Sequence, residues 1–137
     1  MRRVMVFGTF DMLHEGHLDM FRQARALVDE PQLIVSIARD AATERIKGHA
    51  PKHSELDRLK NVEACSLVEE VVLGDRDGFI NHIVKADPEV IGLGYDQKSS
   101  YVTELQAELD RVGLKTRVVR LKPYKPDVYK TSKLQGA

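Results

Sequence analysis

Val4-Met5-Val6-Phe7-Gly8-Thr9-Phe10-Asp11-Met12-Leu13-His14-Glu15-Gly16-His17 decides how this chain is read. Residues 3–7 are a short apolar run rich in β-branched side chains, and residues 17–28 have the spacing of an amphipathic helix. A strand that enters a glycine-bearing loop and passes directly into a helix is the first half of a βα unit. The alternation continues outward. Strand-like runs at 32–38, 70–74, 90–93 and 115–121 alternate with helical patterns at 54–67, 78–85 and 101–112. Each run is short and apolar enough to be covered on both faces, as parallel sheets require. Leu105, Leu109 and Val112 repeat at helical spacing ahead of Gly113, Ser54 and Asp57 form a capping start, and Asp87-Pro88 ends the segment before the fourth strand. The predicted fold is α/β: a Rossmann-like, doubly wound, five-stranded parallel sheet flanked by helices, in a single domain over residues 1–137. Ligands bind such sheets at the carboxyl ends of the strands where the winding reverses, which singles out the loops 8–17 and 92–98.

A chain of 137 residues suffices for one continuous core, and its 21 basic side chains balance 21 acidic ones. Zero net charge gives no field to attract a polyanion, so nucleic acid is not an expected partner, while a local basic pocket for a small phosphorylated ligand is compatible with it. The longest apolar stretches, around Leu33-Ile34-Val35 and Val71-Val72-Leu73, fall far short of the roughly 20 residues of a membrane span, so no membrane association is expected. Met1-Arg2-Arg3 leads into the first strand without an apolar signal region, and the single Cys65 has no internal partner; a reducing, cytoplasmic setting is expected. Cys65 shares a helical stripe with Leu59 and Val62 and reads as a buried apolar thiol. His82 reads as a surface or packing histidine with no partner in view.

Each residue type in the first loop has a use at a phosphate. Gly8 omits a side chain where a nucleotide would pass close to the backbone, Thr9 offers a hydroxyl and an amide, and a helix starting near Gly16 presents N–H groups at its positive end. His14 and His17 stand three apart, so both imidazoles reach one place and can stabilise the charge that develops on a phosphoryl group as its bridging oxygen leaves. Other chemistries fit less well. A helical zinc site needs histidines four apart with an internal glutamate, G-x-G-x-x-G does not begin at Gly8, and no Gly-Lys-Ser or Gly-Lys-Thr supplies a Walker loop.

Arg39, Arg45, Lys47, His49, Lys52 and His53 gather after the second strand, a local excess of positive charge in a neutral protein. They read either as a solvated loop or as cations for the β and γ phosphates of a leaving pyrophosphate. Gly92-Leu93-Gly94-Tyr95-Asp96-Gln97 ends the fourth strand. Gly94 is placed to read a base edge with its backbone, and Asp96 to accept ribose hydroxyl groups or help hold a cation. Thr131 and Ser132, beyond the last strand, bring hydroxyls suited to a phosphate.

Gly8-Thr9-Phe10-Asp11-x-x-His14-x-Gly16-His17 resembles the signature of the cytidylyltransferase-like nucleotidyltransferase superfamily. The resemblance implies transfer of a nucleoside monophosphate from a nucleoside triphosphate, ATP or CTP, to a small phosphorylated acceptor, with release of pyrophosphate. It implies magnesium or another divalent cation as cofactor, and a homodimer. Catalytic roles fall to His14, His17 and Lys47, and nucleotide contacts to Gly8, Thr9, Phe10 and Gly16 around them. Further nucleotide contacts are implied for Arg58, Gly94, Asp96, Thr131 and Ser132, with Asp96 also the metal ligand. The tail departs from the family's Arg-Thr-x-Gly-Ile-Ser-Thr-Thr pattern: Lys125-Pro126-Asp127-Val128-Tyr129-Lys130-Thr131-Ser132 keeps only part of it, with a lysine in place of the arginine fork. Ile37-Ala38-Arg39-Asp40, Ile46-Lys47-Gly48, Val72-Leu73-Gly74-Asp75 and Val118-Val119-Arg120-Leu121 are similar to the archaeal-type FAD synthases, which adenylylate FMN. The alternatives are a glycerol-3-phosphate cytidylyltransferase and, in another class, a nucleotide-sensing module without turnover.

Overall fold

The computed structural model describes residues 2–76, 79–94 and 99–123, with residues 46, 47 and 99–101 described by their backbone alone. Strands β1 (Arg2–Gly8), β2 (Pro31–Ile37), β3 (Glu70–Leu73), β4 (Val90–Leu93) and β5 (Arg117–Arg120) pair in parallel to form one sheet of order β3-β2-β1-β4-β5. The chain winds from β1 outward through β2 to β3, then returns to the other side of β1 and continues to β5. The reversal lies between β1 and β4, where the sequence places it, and the carboxyl ends of these two strands lie side by side.

Alternation along β1 sends Val4 and Val6 to one face and Met5 to the other. The first face is covered by α1 (Glu15–Arg25) and α3 (Glu55–Glu63), which bury Phe21, Ala24 and Val62 against Val4, Val6, Leu33 and Val35. The second is covered by α4 (Ile80–Ala86) and α5 (Ser99–Arg111), whose Ile83, Leu105 and Leu109 pack on Met5, Ile34 and Ile91. Cys65, expected buried on a helical stripe, lies beyond the end of α3 and is only partly buried against the first cluster.

The local punctuation works as read. Ser54 Oγ accepts the Asp57 N–H at 3.2 Å, Asp87 closes α4 in a left-handed conformation, and Gly113 follows α5 with φ of +79°. The predicted helix 54–67 stops at Glu63, because tighter bonds from Cys65 N–H to the Val62 carbonyl and from Val68 N–H to the Cys65 carbonyl replace the helical ladder. One element was not predicted: α2 (Asp40–Lys47) occupies most of the basic segment. Its charges hide a short helix in which Thr43 is buried, and Gly48 ends it at φ of +79° with an N–H donated to the Glu44 carbonyl. No helix among the described residues is long and apolar enough to cross a membrane.

Candidate active site

The loop leaving β1 turns back on itself at Phe10, whose φ of +52° is uncommon for a residue with a side chain. That conformation folds the phenyl ring over Gly8, where it is 4% exposed and sits 5.5 Å from the ring of Phe21 and 5.2 Å, edge-on, from that of His17. Two expectations change here. The space over Gly8 is filled by Phe10, so the missing Cβ makes room for a side chain of the same loop. Phe10 itself is core, and it shapes the site from beneath as a support for His17.

His14 is the N-cap of α1. Its Nδ1 accepts the Gly16 N–H at 3.0 Å, and its own N–H donates to His17 Nδ1 at 3.4 Å, a capping box built from two histidines. The rings stack with centroids 3.9 Å apart and planes 27° from parallel. Because each Nδ1 receives a backbone N–H, each neutral ring carries its proton on Nε2. Burial pushes His14 below the ordinary histidine range, which favours this neutral donor. The amide of Gly16, offered to a phosphate on sequence grounds, donates to His14 instead. The imidazoles thereby inherit that donor role.

Arg58 is fully buried. Nη1 donates to the Thr9 and Ala38 carbonyls at 2.8 and 2.7 Å, Nε to the His53 carbonyl at 3.1 Å, and Nη2 to Asp40 Oδ1 at 2.6 Å. A guanidinium so enclosed is a clamp joining the first loop, the end of β2 and the segment before α3, with its bonds made to the protein's own carbonyls and to Asp40. Asp11 had no role in the sequence reading. Only 8% exposed, it accepts N–H bonds from Lys52 at 2.7 Å and His53 at 2.9 Å, and lies 3.0 Å from His53 Nδ1. Burial pushes its carboxyl up, but the backbone and ring hydrogen bonds outweigh this and hold it below the ordinary range. A carboxylate inside an otherwise apolar turn was the signal available for it.

Gly94 follows β4, and its carbonyl accepts from Arg120 Nη1 at 3.1 Å. The Lys47 side chain, Asp96, Thr131 and Ser132 lie outside the described residues. His82 is not solitary: it lies within hydrogen-bond reach of Asp75 and Ser36. Among the described residues no three His, Cys, Asp or Glu side chains are grouped to hold a metal ion.

The cytidylyltransferase-like family model matches residues 5–136. The chain is 40% identical to an FAD synthase of Thermoplasma acidophilum, covering 90% of this chain and 84% of that one. It is 44% identical to an FAD synthase of Aciduliprofundum boonei over 90% and 80%, and 40% identical to one of Thermococcus sibiricus over 96% and 88%. A crystal structure described as the lipopolysaccharide core biosynthesis protein of Thermoplasma volcanium superposes with a TM-score of 0.82 at 33% identity, covering 90% of this chain and 98% of that one. A protein from Archaeoglobus fulgidus, 19% identical, with a TM-score of 0.67 over 88% and 89%, shares the fold. By the span of the family match and the identity to these relatives, the chain belongs to the cytidylyltransferase-like family and is a nucleotidyltransferase.

Proposed function

We propose that this nucleotidyltransferase is an FAD synthase, which transfers AMP from ATP to the phosphate of FMN. The observation that carries the reading is 40–44% identity to FAD synthases across nine-tenths of the chain. An FMN phosphate oxygen, already anionic at neutral pH, attacks the α-phosphorus in line. A new P–O bond forms as the bond to the bridging oxygen breaks, and the electron pair departs on pyrophosphate. No covalent enzyme intermediate is needed, so positioning and charge stabilisation carry the rate.

In this reading the Nε2–H groups of His14 and His17 donate to the oxygens on which charge develops, and Lys47 neutralises the leaving pyrophosphate. Thr9 and Gly16 flank the phosphates, Gly94 and Asp96 meet the nucleoside, and Thr131 and Ser132 bring hydroxyls from the tail. Arg58 and Phe10 hold these groups in place from below. Magnesium is proposed as the counter-ion of the triphosphate, which asks for one or two protein carboxylates at most; Asp96 is the carboxylate proposed.

Pyrophosphate release measured for ATP and CTP, each with FMN, glycerol 3-phosphate and choline phosphate, tests the reading. Release with ATP and FMN, and formation of FAD, is the expected result. Release with CTP and glycerol 3-phosphate alone reassigns the substrates, and nucleotide binding with no release for any pair favours a sensor. A homodimer is proposed from resemblance, and light scattering on the purified protein checks it.

A further inference from the structure

His82, on α4, has both ring nitrogens engaged. Nδ1 lies 2.9 Å from Asp75 Oδ2, Nε2 lies 2.9 Å from Ser36 Oγ, and the His82 backbone N–H donates to the same Asp75 oxygen at 3.0 Å. The ring also meets Phe7 edge-on, with centroids 5.9 Å apart. Ser36 belongs to β2 and Asp75 to the turn after β3, so one side chain ties three elements together at the carboxyl end of the sheet. Serine, histidine and aspartate in this order form the chain of a nucleophilic relay. Ser36, however, is 3% exposed within the sheet, and its hydroxyl presents no face to a substrate.

The consequence lies on the other side of Asp75. Its neighbour Gly74 donates an N–H to the Ile37 carbonyl at 2.9 Å, and the Gly74 carbonyl accepts Arg39 Nε at 2.6 Å. Arg39 Nη1 reaches Glu55 Oε2 at 3.3 Å, no described residue bonds Nη2, and the side chain is 26% exposed. A guanidinium just beyond β2 is thus aimed by one carbonyl and one carboxylate, with donors left for a phosphate. We infer that His82 is a positioning residue for nucleotidyl transfer: clamped between Ser36 and Asp75, it holds the turn after β3 so that the Gly74 carbonyl aims Arg39 at an anionic group of a substrate. The inference rests on the transferase reading of the site.

Two measurements test it. In 15N-labelled protein the Arg39 Nε–H signal reports the bond to Gly74 without any substrate. It is expected to exchange ~10-fold faster in His82→Ala, about the net worth of one hydrogen bond. In pyrophosphate release, His82→Ala and Arg39→Ala are each expected to lose ~10-fold or more in kcat/KM, chiefly in KM, and the double variant no more than Arg39→Ala alone. His82→Asn, which keeps an N–H near the position of Nδ1, recovers most of the loss. Should His82→Ala fail to fold, His82→Gln, which reaches Ser36 but not Asp75, takes its place. An unchanged Arg39 signal in a folded His82 variant, or losses that multiply in the double variant, overturn the inference. Absence of turnover with ATP and FMN overturns the FAD-forming reading instead, and the Arg39 signal decides the positioning claim in either case.

Discussion

A Cβ on Gly8 would stand 2.7 Å from Cζ and 2.8 Å from Cε2 of Phe10, so the two residues share one volume. The phenyl ring has no room to retreat, being packed on Phe21 and His17 and fixed to a backbone held at φ of +52°. Gly8→Ala is therefore expected to destabilise the fold by about 1–3 kcal/mol, the usual cost of overpacking, and to lower turnover by displacing His17. Urea unfolding and pyrophosphate release measure the two effects. In a Phe10→Ala background the same substitution should cost little more, and an equal cost in both backgrounds would refute the shared-volume account.

The histidine pair combines a structural and a chemical task, and substitution can part them. Asparagine is a good N-cap, so His14→Asn should keep the start of α1 and most of the stability while removing the Nε2–H donor. Turnover should fall ~100-fold or more, as for loss of one donor to a developing oxyanion, and His17→Ala should do the same. Near wild-type rates in either variant would remove these residues from the chemistry.

How far the sequence leads depends on the range of each interaction. β1, the caps at Ser54 and Gly113, and the reversal beside β4 were legible because their signals lie within a few residues of one another or follow from the order of strands. The pairing of His14 with His17 is equally local, one turn of a helix start. His82 was read without a partner because Ser36 is 46 positions away and Asp75, though only seven away, stands across an element boundary that no helical spacing spans. Arg58 was assigned to the nucleotide by resemblance alone, and nothing local in the sequence announces that its guanidinium is buried. Three carbonyls from separate segments make burial tolerable, and only the assembled fold supplies them.

That enclosure makes Arg58 a stability residue first. Arg58→Leu would leave the carbonyls of Thr9, Ala38 and His53 without their donor, at about 1–3 kcal/mol for each that stays buried. Lysine carries one point charge in place of a fork, so Arg58→Lys should recover only part of the loss. Thermal unfolding of the two variants checks the order: wild type, then lysine, then leucine. Equal stability of leucine and wild type would refute the clamp.

Acid should weaken the fold through His14. Burial holds its native pKa below the ordinary 6.5, so the unfolded chain takes up the proton first, and stability rises with pH between the two values. The contribution is complete above 6.5 and is lost as pH falls toward the lowered native value. Urea unfolding from about pH 7.5 to about pH 5.5 should show this slope in the wild type and a shallower one in His14→Asn, which cannot titrate there. Equal slopes would mean that His14 has its ordinary affinity for a proton.

Asp11 controls how the basic segment meets the first loop. One of its oxygens accepts the Lys52 N–H, and the other accepts the His53 N–H and faces His53 Nδ1. Asparagine has the same shape, but its amide must turn an N–H toward one of these donors, which leaves a buried conflict in place of a bond. Asp11→Asn should therefore cost about 1–3 kcal/mol and release residues 52 and 53 from the loop. Hydrogen exchange at the Lys52 and His53 amides reads the release directly. Since Lys47 of that segment serves the leaving pyrophosphate in the proposed reaction, the KM for ATP should rise in the same variant. Faster exchange with an unchanged KM would separate the anchor from the chemistry, leaving Asp11 as a fold residue alone.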